Sequence, residues 1–178
     1  MLKGSTKQEW PHILEGKGEV STDSSPYVID TLPIPLVNPY RAPMFLSGIT
    51  FDEEGVAYVC TLFGEVWKVS GIDHGLENVR WKRMIAGLNS TLGILYHKGE
   101  LFVADKAELI SLHDLNGDDE IDYIQRCNQG FRNFGRNVHA GLAVDDNDAF
   151  YYITGDGLAR LANDKYEVFA PPLRTAMG

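Results

Sequence analysis

The chain of 178 residues carries 16 Lys and Arg residues against 25 Asp and Glu residues, which gives a formal net charge of −9. Its hydrophobic fraction of 44% is enough to bury a sizeable core and excludes the composition of a disordered chain. An acidic surface repels nucleic-acid phosphates, and no apolar run approaches the roughly 18 residues of a membrane helix, so neither a nucleic-acid partner nor a transmembrane segment is predicted.

The first part of the chain shows no periodic pattern. Residues 1–26 are predicted to be a leader or linker, and their start lacks the basic-then-apolar pattern of a signal peptide. Residues 27–32 are predicted to form an isolated strand. Prolines then hold residues 34–44 extended, because each proline fixes its own φ and biases the preceding residue away from helix.

One sequence pattern recurs three times in the rest of the chain. Each copy has a Gly and three mostly apolar residues, a polar turn, a second apolar run, and two further runs rich in β-branched and aromatic residues. The glycines that open the copies, Gly48, Gly93 and Gly141, are 45 and 48 residues apart. Four strands per copy at a period of about 40 to 50 residues predict the blades of a β-propeller. An ordinary antiparallel meander or sandwich is the alternative.

The twelve predicted strands are residues 48–51, 56–60, 64–69 and 79–85, then 93–96, 100–104, 108–112 and 121–125, then 141–144, 149–153, 157–161 and 166–169. Three blades cannot close a ring, since propellers typically have about 4 to 8. The sequence therefore predicts an all-β chain in which residues 27–178 are a fragment of a β-propeller domain, with about three four-stranded antiparallel blades.

The cysteines and tryptophans are predicted to be structural. Cys60 and Cys127 lie far apart among apolar residues, as buried thiols do, and neither a metal site nor haem attachment is indicated. A disulfide between them remains open. Trp67 and Trp81 fall in predicted strands and are expected in the core.

The loops that lead into the first strand of each copy, with those joining the second and third strands, are the predicted place for chemistry. The longest, residues 128–139, is polar and ends in His139, whose imidazole could act as a general base because its ordinary pKa of about 6.5 is near neutrality. A structural hydrogen bond to backbone is the alternative role. Arg132 and Arg136 could supply positive charge to an anionic cofactor or substrate, and Asp156 lies in a loop at the same end.

Oxygen-bearing side chains alternate along residues 114–122. Asp114, Asn116, Asp118 and Asp122 occupy positions 1, 3, 5 and 9 of a calcium-loop pattern, and Glu120 would give its backbone carbonyl at position 7. The pattern departs from an EF-hand loop, which has Gly where Asp119 stands and a bidentate Glu where Gln125 stands. A polar hairpin that binds no metal is the alternative.

Several segments together resemble a known family. They are residues 35–40, 64–73, 81–83 and 112–118, and His139 with residues 151–155. They resemble the propeller of large planctomycete-type secreted proteins, which are described as membrane-bound-dehydrogenase-like or haem-binding and often carry a c-type cytochrome domain. That propeller is in turn similar to the soluble quinoprotein glucose and sorbosone dehydrogenases.

The resemblance implies a six-bladed, extracytoplasmic propeller that binds pyrroloquinoline quinone (PQQ) with the help of Ca²⁺ and oxidises a sugar or alcohol. His139 matches the histidine that deprotonates the substrate hydroxyl, and a c-type cytochrome domain would accept the electrons. The main alternative is a non-catalytic propeller that binds a glycan or protein. A third is a fragment that does not function alone.

Overall fold

All regular secondary structure in the described part of the chain is β-strand. The computed structural model describes residue 4 and residues 7–105, 108–127, 140–154, 157–163 and 165–171. These residues form thirteen strands and no helix, arranged in three antiparallel sheets of four or five strands. The predicted all-β class is confirmed, and so is the placement of each repeat in a sheet of its own.

The first sheet contains the first copy of the repeat and one additional strand. Its strands are β1 (Ile13–Gly16), β2 (Leu46–Phe51), β3 (Ala57–Thr61), β4 (Val66–Ser70) and β5 (Val79–Ile85). Their order is β1-β5-β4-β3-β2, so the four predicted strands form a meander. The strand β1 was not predicted. It pairs antiparallel with β5, and Leu14 lies opposite Trp81.

The second and third sheets are simple meanders of four strands. The second contains β6 (Gly93–His97), β7 (Glu100–Ala104), β8 (Leu109–His113) and β9 (Tyr123–Arg126). The third contains β10 (Ala140–Val144), β11 (Phe150–Thr154), β12 (Gly157–Ala162) and β13 (Lys165–Ala170). In both sheets the strand order follows the chain, and every predicted run has its strand.

Residues 27–32 do not form the predicted strand. Among them only Thr31 makes a β-bridge, with Glu19, while Tyr27 and Ile29 are strongly exposed. A strand needs a partner for its backbone groups, and the described residues supply one only at Thr31. The segment that follows packs on the outer face of the first sheet, where Ala42 and Met44 are buried.

The three sheets pack face to face in chain order. Between the first and second sheets, Tyr58 stacks on Tyr96 with ring centroids 5.9 Å apart and planes 6° from parallel. Between the second and third, the rings of Phe102 and Phe150 have centroids 4.7 Å apart. The first and third sheets are therefore each covered by the second on one face, the second is covered on both, and the first strands β2, β6 and β10 lie side by side.

The glycines that open the repeats permit this close packing. A Cβ atom on Gly48 would lie 3.3 Å from Cγ2 of Ile94, and one on Gly93 would lie 3.0 Å from the backbone of Gly141. Both distances are shorter than ordinary van der Waals contact, so a side chain at either position would push two neighbouring first strands apart. The stacking of the sheets thus accounts for Gly48 and Gly93, whereas Gly141 has open space around it and adopts a φ of +69°, which favours glycine.

The predicted core tryptophans and Cys60 are buried as expected, whereas Cys127 is only partly buried. Trp67 and Trp81 are buried, which confirms their predicted place in the core. Cys60 is buried, Cys127 is partly buried, and both thiols are free, so the two are not joined in a disulfide. Burial raises the pKa of both thiols, and they are therefore protonated at neutral pH.

Candidate functional site

Loops of the first and second sheets meet at one end of the molecule, here called the loop end (residues 45–47, 61–64, 88–92 and 105). The Ser47 Oγ donates to the carbonyl oxygen of Thr91 at 2.5 Å, and the Thr91 Oγ1 donates to the carbonyl oxygen of Thr61 at 2.6 Å. Both threonines are fully buried. These bonds join three loops, and the bond between the two threonines is fully buried, which makes the base of the loop end rigid.

The segment before β6 bridges the neighbouring sheets at this end. The Leu88 N–H donates to the carbonyl of Gly64 at 3.0 Å, and the Asn89 N–H donates to Oδ2 of Asp105 at 3.0 Å. The Gly141 N–H contacts the carbonyl of Leu92 at 3.3 Å. The start of β10 therefore lies beside the segment that leads into β6, as the prediction of converging loops requires.

The residues predicted for quinone chemistry are Arg132, Arg136, His139 and Asp156, and all four lie outside the described residues. Only the described strands on either side of them bear on their position. Strand β10 begins directly after His139, and β11 ends two residues before Asp156. Their assigned roles remain predictions.

Two exposed aromatic rings stand at the loop end. The rings of Phe45 and Phe63 meet edge to face with centroids 5.6 Å apart, and the two residues are 62% and 54% exposed. Exposed aromatic side chains side by side offer an apolar platform to a ligand. Both loops were predicted to lie at this end, but neither phenylalanine was predicted to be a site residue. An aromatic residue in each of two loops predicted to line the site is the sequence feature that could have indicated them.

The acidic loop of residues 114–122 is organised around Asp114. Its Oδ1 accepts the Gly117 N–H at 2.7 Å and the Asn116 N–H at 3.2 Å, and its Oδ2 accepts the Asp119 N–H at 2.8 Å. The next side chains continue this pattern, because Oδ1 of Asn116 accepts the Asp118 N–H at 2.9 Å. The candidate calcium ligands thus bond to the backbone of their own loop.

The oxygen chemistry of this loop suits Ca²⁺, which prefers carboxylate and carbonyl ligands. Within the described ranges, no three His, Cys, Asp or Glu side chains are grouped as a metal site. Binding therefore requires side chains such as Asp118 to turn toward a common ion, and the calcium site stays a prediction. Because β6 to β9 alternate in direction, this loop lies at the opposite end of the second sheet from the loop end.

The side chain of Glu120 turns away from the loop and enters a buried ion pair. Its Oε1 lies 2.7 Å from Nζ of Lys82, and its two oxygens accept the backbone N–H groups of Glu9 and Trp10 at 2.7 and 2.9 Å. Burial by itself would raise the pKa of Glu120, but these hydrogen bonds outweigh burial and lower the pKa below its ordinary value. Only the carbonyl of Glu120 is left for the predicted calcium role.

A second buried ion pair lies within the first sheet, and its arginine also contacts the amino-terminal segment. Nη2 of Arg83 lies 2.5 Å from Oε1 of Glu65, whose other oxygen accepts the Trp67 indole N–H at 3.2 Å. The Arg83 guanidinium also lies over the rings of Tyr40 and Trp10, at 4.9 and 5.5 Å from their centroids. No local motif pointed to this network in the sequence.

In the part of the chain that the structure describes, no helix is long and apolar enough to cross a membrane. A scan of protein-family models and a search of curated proteins both find no match to this sequence.

Proposed function

We propose that the three sheets are adjacent blades of a six-bladed β-propeller, and that the chain is the propeller portion of a quinoprotein-dehydrogenase-like protein. The observation that carries this proposal is the convergence of the loops at the loop end, held by the hydrogen bonds of Ser47 and Thr91. The long polar loop of residues 128–139 leads into β10, whose start lies beside Leu92 at that same end. Binding residues commonly occupy such loops above a rigid scaffold.

The proposed reaction is the oxidation of a sugar or alcohol to the carbonyl compound. When bound, PQQ supplies the two-electron acceptor for the hydride that leaves the substrate carbon. A ring nitrogen of His139 takes the hydroxyl proton, which an imidazole with a pKa near neutrality can do at pH about 7. Arg132 and Arg136 bind the carboxylates of the cofactor, since a guanidinium can donate two parallel hydrogen bonds to a carboxylate.

Ca²⁺ is proposed to bind in the loop of residues 114–122. Its ligands would be oxygens of Asp114, Asn116, Asp118 and Asp122 with the carbonyl of Glu120. The loop lies at the opposite end of the second sheet from the loop end, so an ion there holds the loop in shape and does not contact a quinone at the loop end. In this proposal Ca²⁺ has a structural role and takes no part in the redox site.

The test of the dehydrogenase proposal is dye reduction with a panel of sugars and alcohols after reconstitution with PQQ and Ca²⁺. It is made on the polypeptide that supplies all six blades, because three blades leave the site without its remaining loops. His139→Gln should lower kcat by about 10²- to 10⁴-fold and leave PQQ affinity nearly unchanged. His74→Gln, in an exposed turn of the first sheet, is the matched control and should keep full activity.

Variants of the two arginines distinguish cofactor binding from proton transfer by His139. Arg132→Ala and Arg136→Ala should weaken PQQ binding measured by its absorbance, because each removes a charged partner of a carboxylate. Absence of PQQ binding and of turnover on every substrate would contradict the proposal. Equal turnover of wild type and His139→Gln would show that the protein is a dehydrogenase in which His139 is not the general base.

The exposed pair of Phe45 and Phe63 favours a second candidate, a non-catalytic propeller that binds a glycan or protein at the loop end. Apolar faces of sugar rings pack well on exposed aromatic rings. Glycan binding that is lost in Phe63→Ala, kept in the exposed control Tyr27→Ala, and accompanied by no dye reduction would favour this candidate.

A further inference from the structure

We infer that Asn116 is a site of spontaneous modification, at which attack by the backbone nitrogen of Gly117 converts the side-chain amide to a carboxylate. The product is aspartate or isoaspartate in the acidic loop of residues 114–122. The inference rests on contacts within this loop and does not depend on the quinone chemistry proposed above. Only its last consequence, for Ca²⁺, rests on the proposed calcium site.

The sequence and the exposure of the loop permit this reaction. Asn116 is the one asparagine of the chain that is followed by a glycine, and a glycine has no side chain to hinder approach to its backbone nitrogen. Both residues are exposed to water. A Cβ at residue 117 would meet no described heavy atom within 4 Å. Water therefore reaches the reacting groups, and the described residues leave room for the loop to change shape.

The nitrogen that attacks is bonded to a base. The Gly117 N–H donates to Oδ1 of Asp114 at 2.7 Å. A carboxylate in this position can take up the proton of the N–H as the nitrogen forms its bond to the Asn116 side chain, which is the role of a general base. The structure thus places a proton acceptor on the nucleophile itself.

The carboxamide that is attacked is held by Asp118. Oδ1 of Asn116 accepts the Asp118 N–H at 2.9 Å, and Nδ2 donates to Oδ2 of Asp118 at 3.2 Å. The first bond stabilises the negative charge that develops on Oδ1 when the carbonyl carbon is attacked. It also turns the side chain toward the residues that follow in the chain, which is the direction of the Gly117 nitrogen.

The reaction needs water and no other reactant. The Gly117 nitrogen forms a bond to Cγ of Asn116 and loses its proton, and the bond between Cγ and Nδ2 breaks. Nδ2 leaves as ammonia, which carries that proton away. Water then opens the cyclic imide at either of its two carbonyl carbons, which gives aspartate or isoaspartate. Nothing is oxidised or reduced.

The modification adds negative charge where carboxylates are already concentrated. The amide donor that now bonds Oδ2 of Asp118 is replaced by a second carboxylate, so a hydrogen bond becomes a repulsion between like charges. A cation between the two carboxylates relieves this repulsion, and the affinity of a loop for Ca²⁺ depends on the number of charged ligands. The modified loop is therefore less stable without an ion and binds Ca²⁺ more tightly.

The test is peptide mapping by mass spectrometry of the full chain, incubated in EDTA at mildly alkaline pH and sampled over time. Trypsin releases residues 107–126, in which Asn116 is the single asparagine. We expect this peptide to gain the mass of an amide-to-acid change and to separate into two products. Asn147 is the internal control and should keep its amide, because it is exposed in a turn of the third sheet but is followed by Asp148.

Variants test the role of the base. Asp114→Asn keeps an oxygen that accepts the Gly117 N–H but has no basic carboxylate, so it should slow conversion at residue 116 about tenfold or more. Fragmentation of the peptide assigns the change to that residue. Asp145→Asn is the matched control, because Asp145 accepts backbone N–H groups in a turn of the third sheet, and it should leave the rate unchanged. Circular dichroism verifies that the sheets of each variant have formed.

The free peptide of residues 107–126 is the reference for a loop without fixed contacts. If the folded chain keeps the amide of Asn116 over the time in which the peptide is fully converted, the loop protects this residue and the inference is overturned. Conversion of Asn147 as fast as that of Asn116 would overturn it too, since the reaction would then not be specific to this loop. Faster conversion in Asp114→Asn would show that Asp114 restrains the loop and is not a base.

A comparison with Ca²⁺ distinguishes this inference from the proposed calcium site. Saturating Ca²⁺ should slow conversion, because the ion would hold Oδ1 of Asn116. Asn116→Asp reproduces the change of charge, and it should bind Ca²⁺ more tightly in calorimetry and be less stable than wild type in EDTA. Equal rates of conversion in Ca²⁺ and in EDTA would contradict the calcium site while supporting the modification. Absence of conversion in EDTA would contradict the modification, whatever the calorimetry shows.

Discussion

The ammonium of Lys82 and the carboxylate of Glu120 lie 2.7 Å apart, and each side chain is only 9% exposed. Lys82 belongs to β5 of the first sheet, and Glu120 belongs to the acidic loop of the second. Nζ of Lys82 also donates to the carbonyl of Trp10 at 2.6 Å. One ion pair thus holds two sheets and the amino-terminal segment together.

Loss of one partner of this pair should be strongly destabilising. Lys82→Met leaves the Glu120 carboxylate buried without its cation, which typically costs about 3–5 kcal/mol. The free energy of unfolding in urea measures the effect. Arg80→Met is the matched control on the same strand, because its pair with Glu15 at 3.4 Å is exposed and should contribute about 0–1 kcal/mol. Equal losses in the two variants would contradict the structural role of Lys82.

The same pair should make stability depend on pH in the acid range. Because the folded-state pKa of Glu120 is below its ordinary value of 4.5, its contribution is complete above that pH and is lost as the pH falls through the folded value. Urea unfolding from about pH 7 to about pH 3 should therefore show a gap between wild type and Glu120→Gln that narrows below about pH 4.5. A gap of constant size would show that Glu120 titrates alike in both states.

The sheets were predictable from the sequence because each strand has its own local pattern and pairs with a strand nearby in the chain. Each of the twelve runs has apolar residues next to a polar turn, and the pairing partner is the next run along the chain. The strand β1 lacked such a signal, because Ile13–Gly16 is short and pairs with β5, far along the chain. Residues 27–32 had strand composition, but Thr31 alone finds a partner.

The convergence of the described loops was predictable from the sequence, whereas the contacts among their residues were not. Meander topology alone brings the loops before the first strands to one end, and the bonds among Ser47, Thr61 and Thr91 follow that expectation. The partners of Glu120 could not be predicted, because Lys82 is 38 residues away and no pattern links the two positions. The alternating oxygens of residues 114–122 suggested ligands but equally suit the backbone hydrogen bonds that the loop makes.

Two equivalent hairpins offer a paired test of the repeat. The Tyr58 hydroxyl donates to Oδ2 of Asp52 at 3.2 Å, and the Tyr151 hydroxyl donates to Oδ2 of Asp145 at 2.9 Å. Burial, followed by the Asp52 carboxylate, raises the pKa of Tyr58, so its hydroxyl stays a donor across the neutral range.

Tyr58→Phe should lower the free energy of unfolding by about 0.5–1.5 kcal/mol, because the hydrogen bond to Asp52 is lost from a buried side chain. Tyr151→Phe should cost less, since Tyr151 is more exposed to water that can replace the bond. Tyr123→Phe, at an exposed position of β9, is the control and should leave the midpoint of urea unfolding nearly unchanged. A larger loss in Tyr151→Phe than in Tyr58→Phe would contradict this ranking.

Calcium should bind to and stabilise the loop of residues 114–122. Calorimetric titration of the wild type with Ca²⁺ should give a saturable heat, and saturating ion should raise the free energy of unfolding by about 2.7 kcal/mol at 100 times its Kd. Asp114→Ala with Asp118→Ala removes two ligands and should abolish both effects. Glu53→Ala with Glu54→Ala removes the same charge from an exposed turn and should abolish neither.

The loop needs a control for its calcium-free fold, because Asp114 accepts several backbone N–H groups without any ion. Asp114→Asn keeps one acceptor oxygen and removes one charge, so it should weaken Ca²⁺ binding more than it destabilises the chain in chelator. Stability measured in EDTA separates the two effects. If the titrations of the wild type and of the double variant cannot be distinguished, the loop is not a calcium site. It is then a hairpin held by its own hydrogen bonds.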